Sequence, residues 1–394
     1  MEQRQYFARV TAGLEQVAWQ DIARRLDVQL DGFGHRRVDF RYGGPPAPLL
    51  DLRCVDDVYV FVARLAGLDH TRASLARLTG KLAQADFGPA LAAVGVARAL
   101  PDRPSYRVTA SHLGRRNYSR YDVEGAVEAA LAGRLPWKFV PNDPEEDEPD
   151  LDVRVLLEDD WALVGLRLGA TPLHRRSYKI ASGPGSLKAP VAYCLCLLAG
   201  LASGDVALDP ACGAGTILAE AAALAIDGVI VGGDLDPAAL ALARTNLEAL
   251  GLAPRVVADP PRDLEAAVRG ALEATPAKAG ATAVERPIVL LYQGDAAELP
   301  LPARTVRAVV SNLPWGQQVA VESDIAALYS GVLRSIARAL APGARAVLLT
   351  DHAGGMSVAL AACPELRLDS SLQISLFGRH PTIFVLDMLS VTHP

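Results

Sequence analysis

The stretch ALDPACGAGTILAEA, residues 207–221, places a glycine-rich turn between an apolar strand and a helical pattern. Gly213 and Gly215 allow the backbone to turn tightly and to approach a ligand closely. The N-terminus of the helix that follows favours a negative or electron-rich group. This stretch therefore predicts the first strand–helix unit of an α/β sheet, with a ligand bound at the turn.

The turn differs from the fingerprint of dinucleotide-binding proteins. The pattern G-x-G-x-x-G needs a third glycine at position 218, where Leu218 stands. Asp209, at the end of the strand, suits a cationic or amine-bearing ligand better than a pyrophosphate. Because similar turns bind both kinds of ligand, the turn alone leaves a nicotinamide dinucleotide open as an alternative.

The strand–helix pattern repeats from residue 186 onward. Near-continuous apolar strands, such as residues 287–296, alternate with helices, which indicates a parallel sheet covered on both faces. Residues 366–377 and 382–389 predict a hairpin that closes one edge of the sheet. Residues 255–286 are rich in alanine and longer than an ordinary connection, so we interpret them as an insertion that contains a helix.

Carboxylates stand at the ends of three of these strands. Besides Asp209, Asp234 ends the second strand, where a carboxylate can accept both hydroxyls of a ribose. Asp236, its neighbour, is interpreted as a helix N-cap before Pro237. Asp295 ends the third strand and could accept a hydrogen bond from an adenine amino group. Since parallel strands end at one edge of a sheet, the three strand-end carboxylates predict a nucleoside site.

The stretch SNLPWGQQ, residues 311–318, follows another buried strand. Asn312 offers an amide carbonyl, Pro314 restricts the backbone and Trp315 offers a flat apolar face. One interpretation is an ordinary exit from a strand with a buried tryptophan. The glycine turn some hundred residues upstream favours a second one, in which this loop binds a planar substrate beside the nucleoside.

The first half of the chain mixes short strands and helices. Alternating patterns at residues 6–12, 35–42, 105–111 and 151–168 predict strands, and helical patterns lie between them. This is α+β material. Its length suits two small units ahead of the parallel sheet.

The charge is distributed unevenly along the chain. The net charge of −6 argues against a non-specific nucleic-acid binder, yet residues 103–120 and 161–204 contain no Asp or Glu. Such stretches suit a polyanion that binds at a defined place. The residues that we expect to contact such a polyanion are Arg115, Arg116, Tyr118, Arg175, Arg176 and Lys179.

Cysteine usage and hydropathy exclude several classes of protein. The five cysteines are scattered without a CxxC pair, so neither a metal site nor a disulfide framework is expected. No apolar run is long enough to span a membrane. The polar N-terminus lacks the apolar core of a signal peptide, and we expect a cytoplasmic protein.

Residues 186–390 resemble the class I methyltransferases that use S-adenosylmethionine. DPACGAGT is similar to their first motif, GGDLD to the second and GDA to the third. NLPWG resembles the [D/N]-P-P-[Y/F/W] motif of members that methylate exocyclic amines of bases. Upstream, SYRVTASHLG, LDVRVLLEDDWALVGL and LHRRSYK resemble a THUMP domain. Together the chain resembles the THUMP-containing guanine-N2 methyltransferases that act on tRNA.

The resemblance implies a domain order. It implies a ferredoxin-like domain at residues 1–65, a THUMP-like RNA-binding domain at 66–172, a linker at 173–185 and a Rossmann-like α/β methyltransferase domain at 186–394 with a mainly parallel seven-stranded sheet. S-adenosylmethionine is the implied cofactor. The residues implied to bind it are Asp209, Pro210, Ala211, Cys212, Gly213, Gly215, Thr216, Asp234, Leu235, Asp295, Ala296 and Asn312.

The implied reaction methylates the N2 amine of a guanosine in tRNA. Asn312 and a backbone carbonyl near Leu313 would accept hydrogen bonds from the amine, and Trp315 would stack on the flipped base. These residues, with Pro314, are the expected catalytic loop. The implied target is position 6 in the acceptor stem of a tRNA held by its 3′ end, with a position near the junction of the stem as an alternative. We expect a monomer without metal or membrane association.

One departure and three alternatives accompany this interpretation. Leu313 replaces the first proline of the motif, which predicts a looser loop. An rRNA guanine-N2 or adenine-N6 methyltransferase is an alternative, and so is a non-catalytic RNA-binding protein. Cys212 could suggest covalent methylation of cytosine C5, but that chemistry needs an activated thiolate in a Pro-Cys loop. We therefore interpret Cys212 as a small residue beside the cofactor.

Overall fold

The computed structural model describes residues 3–141, 148–225, 227–258, 260, 262–274, 286–315 and 322–389. The chain forms two compact units, one made of Met1–Val10 and Ala18–His174 and the other of Thr11–Val17 and Arg175–Pro394. The change of unit between residues 174 and 175 falls inside the stretch that was expected to be a linker.

The elements before residue 175 alternate strands with helices. They are β1 (Arg4–Arg9), α1 (Glu15–Arg25), β2 (Val28–Gly34), β3 (Arg37–Tyr42), a 3-10 helix (Ala47–Asp51), β4 (Asp57–Ala66), α2 (Ala73–Leu82), α3 (Gly88–Ala97), β5 (Ser105–His112), α4 (Arg120–Leu131), β6 (Lys138–Phe139), β7 (Leu151–Glu158) and β8 (Trp161–Arg167). Among the described residues they form one sheet in the order β2-β3-β1-β4-β8-β7-β5-β6.

Strand β4 lies in the middle of this sheet. It pairs antiparallel with β1 through Val58 and Val60, and with β8 on its other side through Val60 and Leu65. It also runs across the expected domain boundary at residues 65 and 66. A division of this unit into a ferredoxin-like and a THUMP-like domain therefore stays a prediction.

The second unit has the alternating order that the sequence predicts. Its elements are α5 (Ala189–Leu198), β9 (Val206–Asp209), α6 (Thr216–Ala221), β10 (Val229–Asp234), α7 (Pro237–Ala249), β11 (Arg255–Val257), α8 (Arg262–Ala274), β12 (Ile288–Gln293), a 3-10 helix (Ala296–Glu298), β13 (Val306–Asn312), α9 (Glu322–Ala339), β14 (Leu340–Thr350), α10 (Ala353–Ala361), β15 (Leu366–Gln373) and β16 (Thr382–Met388). The strand order is β11-β12-β10-β9-β13-β14-β16-β15.

This sheet is mainly parallel, as expected, but its described part has eight strands rather than seven. The additional strand is β11, which pairs in parallel with β12 at the edge of the sheet, inside the stretch interpreted as an insertion. It was missed because it is three residues long and Val256 is 56% exposed, so it lacks the apolar run of an inner strand. The expected helix of that stretch is α8, and residues 275–285 lie outside the described part.

Burial explains why the inner strands adopt this order. All four residues of β9 are buried, and β10 is buried from Val229 to Gly233. Strands with apolar side chains on both faces need helices on both sides, which only parallel crossovers supply. The last two strands form the antiparallel hairpin that the sequence predicts. Among the described residues, no helix combines the length and hydropathy that a membrane span requires.

Candidate functional site

Four strands end side by side at one edge of the second unit's sheet. The neighbouring strands β12, β10, β9 and β13 are parallel, so their carboxyl ends meet. Asp234 ends β10, Asp209 ends β9, and Asn312 ends β13. Asp295 follows β12 by two residues. The residues that sequence patterns single out therefore share one edge, where α/β proteins bind their ligands.

The glycine turn is held to this edge by backbone hydrogen bonds. The Cys212 amide donates to the Gly233 carbonyl at 2.8 Å, and the Gly213 amide donates to Asp234 Oδ2 at 2.8 Å. Gly213 and Gly215 have φ values of +51° and +74°, in the left-handed region that favours glycine. A Cβ on Gly215 would lie 3.0 Å from the Ala243 Cβ, so α7 could not pack as closely.

The space beside Gly213 is open. A Cβ built on Gly213 would meet no atom of the described residues within 4 Å. Asp234 also accepts from the Asp236 amide at 3.0 Å, but a carboxylate has about four acceptor positions, and some remain for a ligand. Leu235, next to it, is 69% exposed and offers an apolar surface.

Two of the expected acids cap helices. Asp236 accepts from the Ala238 amide at 2.8 Å, which is the N-cap that the sequence predicts before Pro237. Asp295 accepts from the Ala297 amide at 2.8 Å at the start of a 3-10 helix. The observed role of Asp295 is therefore that of a cap, and its contact with an adenine stays a prediction.

Asp209 is the buried acid of the site. It accepts hydrogen bonds from Ser311 Oγ at 2.7 Å and from the Ala211 amide at 3.2 Å. Burial raises the pKa of Asp209 to about 7, against the opposing effect of these two donors. Ser311 was not singled out from the sequence, although it directly precedes Asn312 in β13. The pair links the ends of β9 and β13.

Asn312 is oriented by two partners. Its Oδ1 accepts from the indole Nε1 of Trp315 at 3.0 Å, and its Nδ2 donates to the Gly185 carbonyl at 3.3 Å. An indole N–H can only donate and a backbone carbonyl can only accept. The amide therefore has one consistent orientation, with its oxygen towards Trp315 and its second lone pair available for a substrate donor.

The described start of this loop, residues 313–315, is anchored at Leu313, whereas the missing proline predicts a looser loop. Leu313 is buried, with 1% of its surface exposed, and its amide donates to the Leu349 carbonyl at 3.0 Å. A proline lacks this N–H and could not make that bond. Leucine thus replaces the stiffness of a proline ring with a buried side chain and a hydrogen bond.

Tyr329 and His352, which sequence patterns do not single out, contact the backbone carbonyls of Pro314 and Trp315. Tyr329 Oη donates to the Pro314 carbonyl at 2.7 Å and lies 2.6 Å from Thr350 Oγ1. His352 Nε2 lies 3.2 Å from the Trp315 carbonyl oxygen. Among the backbone hydrogen bonds outside regular helices and strands in the described residues, none goes to the Leu313 carbonyl oxygen. No local signal could have found these partners, because they lie in α9 and after β14.

Cys212 has the environment of a structural cysteine. Burial raises the pKa of its thiol well above the usual value, with Asp209 and Asp234 contributing in the same direction. A neutral thiol is a poor nucleophile, which agrees with its interpretation as a small packing residue. In the described ranges, no cluster of three or more His, Cys, Asp or Glu side chains is arranged to hold a metal.

Most of the expected RNA contacts in the first unit serve the fold. Arg116 donates to the carbonyls of Leu68 and Asp69 at 2.9 and 3.1 Å, and to the Tyr118 hydroxyl at 2.8 Å. Tyr118 is only 5% exposed, so its ring does not offer a face for base stacking. Arg115, by contrast, is exposed.

The basic residues at the start of the second unit, within residues 175–179, also include both cations with structural contacts and an exposed cation. Arg176 Nε donates to Glu220 Oε1 at 3.1 Å, and this fully buried carboxylate also accepts from Tyr178 Oη at 2.7 Å. Lys179 donates to the Leu187 carbonyl. These cations hold α6 and the segment before α5, whereas Arg175 is exposed. The sequence could not separate the two roles, since the partner acid lies 44 residues away.

Comparison with known proteins relates the second unit to methyltransferases. Residues 176–260 and 266–368 match the family model UPF0020, described as RMKL-like, methyltransferase domain. The chain is 30% identical over 286 residues to the tRNA (guanine(6)-N2)-methyltransferase of Thermus thermophilus. The aligned region covers 72% of this chain and 73% of that protein. It is 27% identical over 301 residues to the tRNA (guanine(6)-N(2))-methyltransferase THUMP3 of Bos taurus. That aligned region covers 75% of this chain and 54% of that protein.

The structural comparison extends over nearly the whole chain. The crystal structure of TrmN from Thermus thermophilus aligns with a TM-score of 0.69 and 26% identity, covering 98% of this chain and 99% of that one. The chain spans about half the length of the mammalian relatives it matches.

Proposed function

The chain belongs to the family of RNA guanine-N2 methyltransferases that includes the tRNA (guanine(6)-N2)-methyltransferase of Thermus thermophilus, and from that premise we propose that it methylates the N2 amine of a guanosine in tRNA. The target that the relatives favour is position 6. The proposal includes a monomeric, cytoplasmic enzyme whose first unit, with THUMP-like and ferredoxin-like halves, binds the acceptor stem and 3′ end.

S-adenosylmethionine is the cofactor, and it supplies an electrophilic methyl group on a sulfonium. The residues of the sheet edge fit this molecule. The open space beside Gly213 admits it, the Asp234 carboxylate suits ribose hydroxyls, and exposed Leu235 suits the face of an adenine. The buried Asp209 carboxyl suits a cationic group.

The observation that carries the proposal is the pair of acceptors at the end of β13. The second lone pair of Asn312 Oδ1 and the Leu313 carbonyl stand next to each other on the chain, while the Pro314 and Trp315 carbonyls are occupied by Tyr329 and His352. An exocyclic amine has two N–H donors. Two adjacent acceptors can hold both and turn the nitrogen lone pair towards the methyl donor.

This arrangement addresses the weakness of the nucleophile. The lone pair of a guanine amine is delocalised into the ring, and positive charge develops on the nitrogen as the methyl group is transferred. Acceptors aimed at the N–H groups stabilise that charge, and orientation lowers the entropic barrier. An amide does not take up the proton, which leaves to solvent after transfer. Trp315 supplies an apolar face for a base removed from its stack.

RNA contact is proposed for the exposed basic residues rather than the buried ones. Arg115 in the first unit and Arg175 in the second are exposed and suit phosphate contacts. Arg116, Tyr118, Arg176 and Lys179 act indirectly, since their observed contacts stabilise the segments that carry the exposed cations.

The test is nucleoside mass analysis of tRNA after incubation with the protein and S-adenosylmethionine. We expect N2-methylguanosine from a transcript with G6 and none from the same transcript with A6. Asn312→Ala should lose about 10²–10³-fold in kcat. Methyladenosine as product, or product from rRNA fragments but not from tRNA, would replace this proposal with one of its alternatives.

A further inference from the structure

The hairpin between β15 and β16 ends in a turn with an unusual residue. Leu376 and Arg379 exchange both backbone hydrogen bonds, each at 3.0 Å, which leaves Phe377 and Gly378 as a two-residue turn. Both have positive φ, +52° and +77°. Positive φ at both central positions is the pattern of a type I′ turn, which strongly prefers Asn, Asp or Gly at the first position.

Phenylalanine is unfavourable here for two reasons. A bulky side chain at positive φ is strained, and such strain concentrates at functional positions. The side chain is also 67% exposed, so packing in the fold does not compensate for the strain. Neither the conformation of the turn nor burial accounts for an aromatic ring at position 377.

The surroundings of the ring are cationic and adjoin the proposed catalytic loop. Lys188 Nζ lies 5.8 Å from the Phe377 ring centroid. Arg379, which pairs with Asp351 at 3.1 Å, has its guanidinium 5.9 Å from the Trp315 ring centroid. Lys188 also stands three residues after Gly185, whose carbonyl orients Asn312. The exposed ring thus lies beside Lys188, and Arg379, two residues further along the chain, lies over the ring of Trp315 in the proposed catalytic loop.

We propose that Phe377 is a nucleobase-binding residue that stacks on the base left exposed beside the target guanosine when that guanosine leaves the stem, while Lys188 and Arg379 face the flanking phosphates. This inference rests on the proposed function, because it assigns the partner of the same site. An aromatic ring beside cations matches a base and its phosphates, which combine a π face with negative charge. A purely apolar protein partner would gain nothing from the two cations.

The inference predicts opposite effects of one substitution on stability and on binding. Phe377→Asn places the preferred residue in the turn and should raise Tm by about 1–3 °C. It removes the stacking ring and should weaken affinity for an acceptor-stem RNA by roughly tenfold. Phe377→Trp should keep RNA affinity within about twofold, and S-adenosylmethionine affinity should not change in either variant.

Arg304→Asn is the matched control, because Arg304 is another exposed non-glycine residue of this unit with positive φ, +61°. It should raise Tm similarly and leave RNA affinity within about twofold. A bound stem with 2-aminopurine next to the target should fluoresce less on wild-type protein than on Phe377→Asn, because stacking on the ring quenches it. If Phe377→Asn bound RNA like the wild type, or left the 2-aminopurine quenched, the inference would be overturned. A wild-type protein that binds RNA but makes no N2-methylguanosine would instead contradict the proposed function alone.

Discussion

The indole N–H of Trp315 donates to the amide oxygen of Asn312 at 3.0 Å. The bond joins the two members of the loop that sequence patterns assign to different tasks, stacking and hydrogen bonding. Trp315 thereby orients the acceptor as well as offering a ring. A phenylalanine or tyrosine at this position would keep the ring but could not supply the indole N–H donor.

Trp315→Phe should therefore reduce kcat about tenfold while changing KM for RNA by less than about threefold. The ring that binds the base persists, but the Asn312 amide loses the donor that holds its oxygen in place. Steady-state kinetics on a G6 transcript would measure this split. Trp19→Phe in α1 is the matched control and should leave both constants unchanged. If KM for RNA rose about tenfold while kcat stayed constant, Trp315 would act through RNA binding alone.

The raised pKa of Asp209 makes cofactor binding depend on pH. In the free protein the carboxyl is protonated below pH 7, because burial raises its pKa to about 7. A cationic group beside it favours the carboxylate, so binding releases a proton at lower pH. Affinity for S-adenosylmethionine should increase as pH rises from about 5.5 to about 7 and then level off.

Titration calorimetry in buffers of different ionisation enthalpy would measure this proton release. Asp209→Asn should lower the affinity and abolish the increase between about pH 5.5 and 7. Ser311→Ala removes a donor to the carboxylate, and the rise should move to higher pH. An Asp209→Asn protein that kept the wild-type profile would assign the titration to another group.

Leu313→Pro restores the motif of related amine methyltransferases yet should destabilise this protein. The substitution removes the hydrogen bond to Leu349 and replaces a buried leucine side chain. The expected loss in the free energy of unfolding is roughly 2–4 kcal/mol. Leu313→Val keeps the N–H and should cost about 1 kcal/mol. Urea unfolding of both variants checks the difference, and a proline variant as stable as the wild type would contradict the anchoring role of Leu313.

Neighbouring arginines should separate stability from RNA binding. Arg176→Ala removes the ion pair between Arg176 and the buried Glu220 carboxylate and should destabilise the protein by about 3 kcal/mol. Arg175→Ala, at an exposed position, should cost less stability than Arg176→Ala and weaken tRNA binding most at low salt. Thermal unfolding and salt-dependent anisotropy would distinguish them. If both variants lost RNA affinity equally and kept the wild-type Tm, the assignment of Arg176 to stability and Arg175 to RNA binding would be contradicted.

Local patterns in the amino-acid sequence suffice to predict the parallel sheet and the edge at which Asp209, Asp234 and Asn312 meet. Hydrophobic periodicity is a local signal, and the ends of parallel strands must share an edge, so local patterns suffice for both. Glycines with positive φ and the cap at Asp236 are local for the same reason.

The tertiary structure decided which of these side chains are available and what holds them. Asn312 is oriented by Gly185, 127 positions away, and Asp209 by Ser311, 102 positions away. Whether Arg176 meets Glu220 or solvent depends on packing between segments, as does the short edge strand β11. Such contacts leave no period or spacing in the chain, because they form only when distant segments pack together.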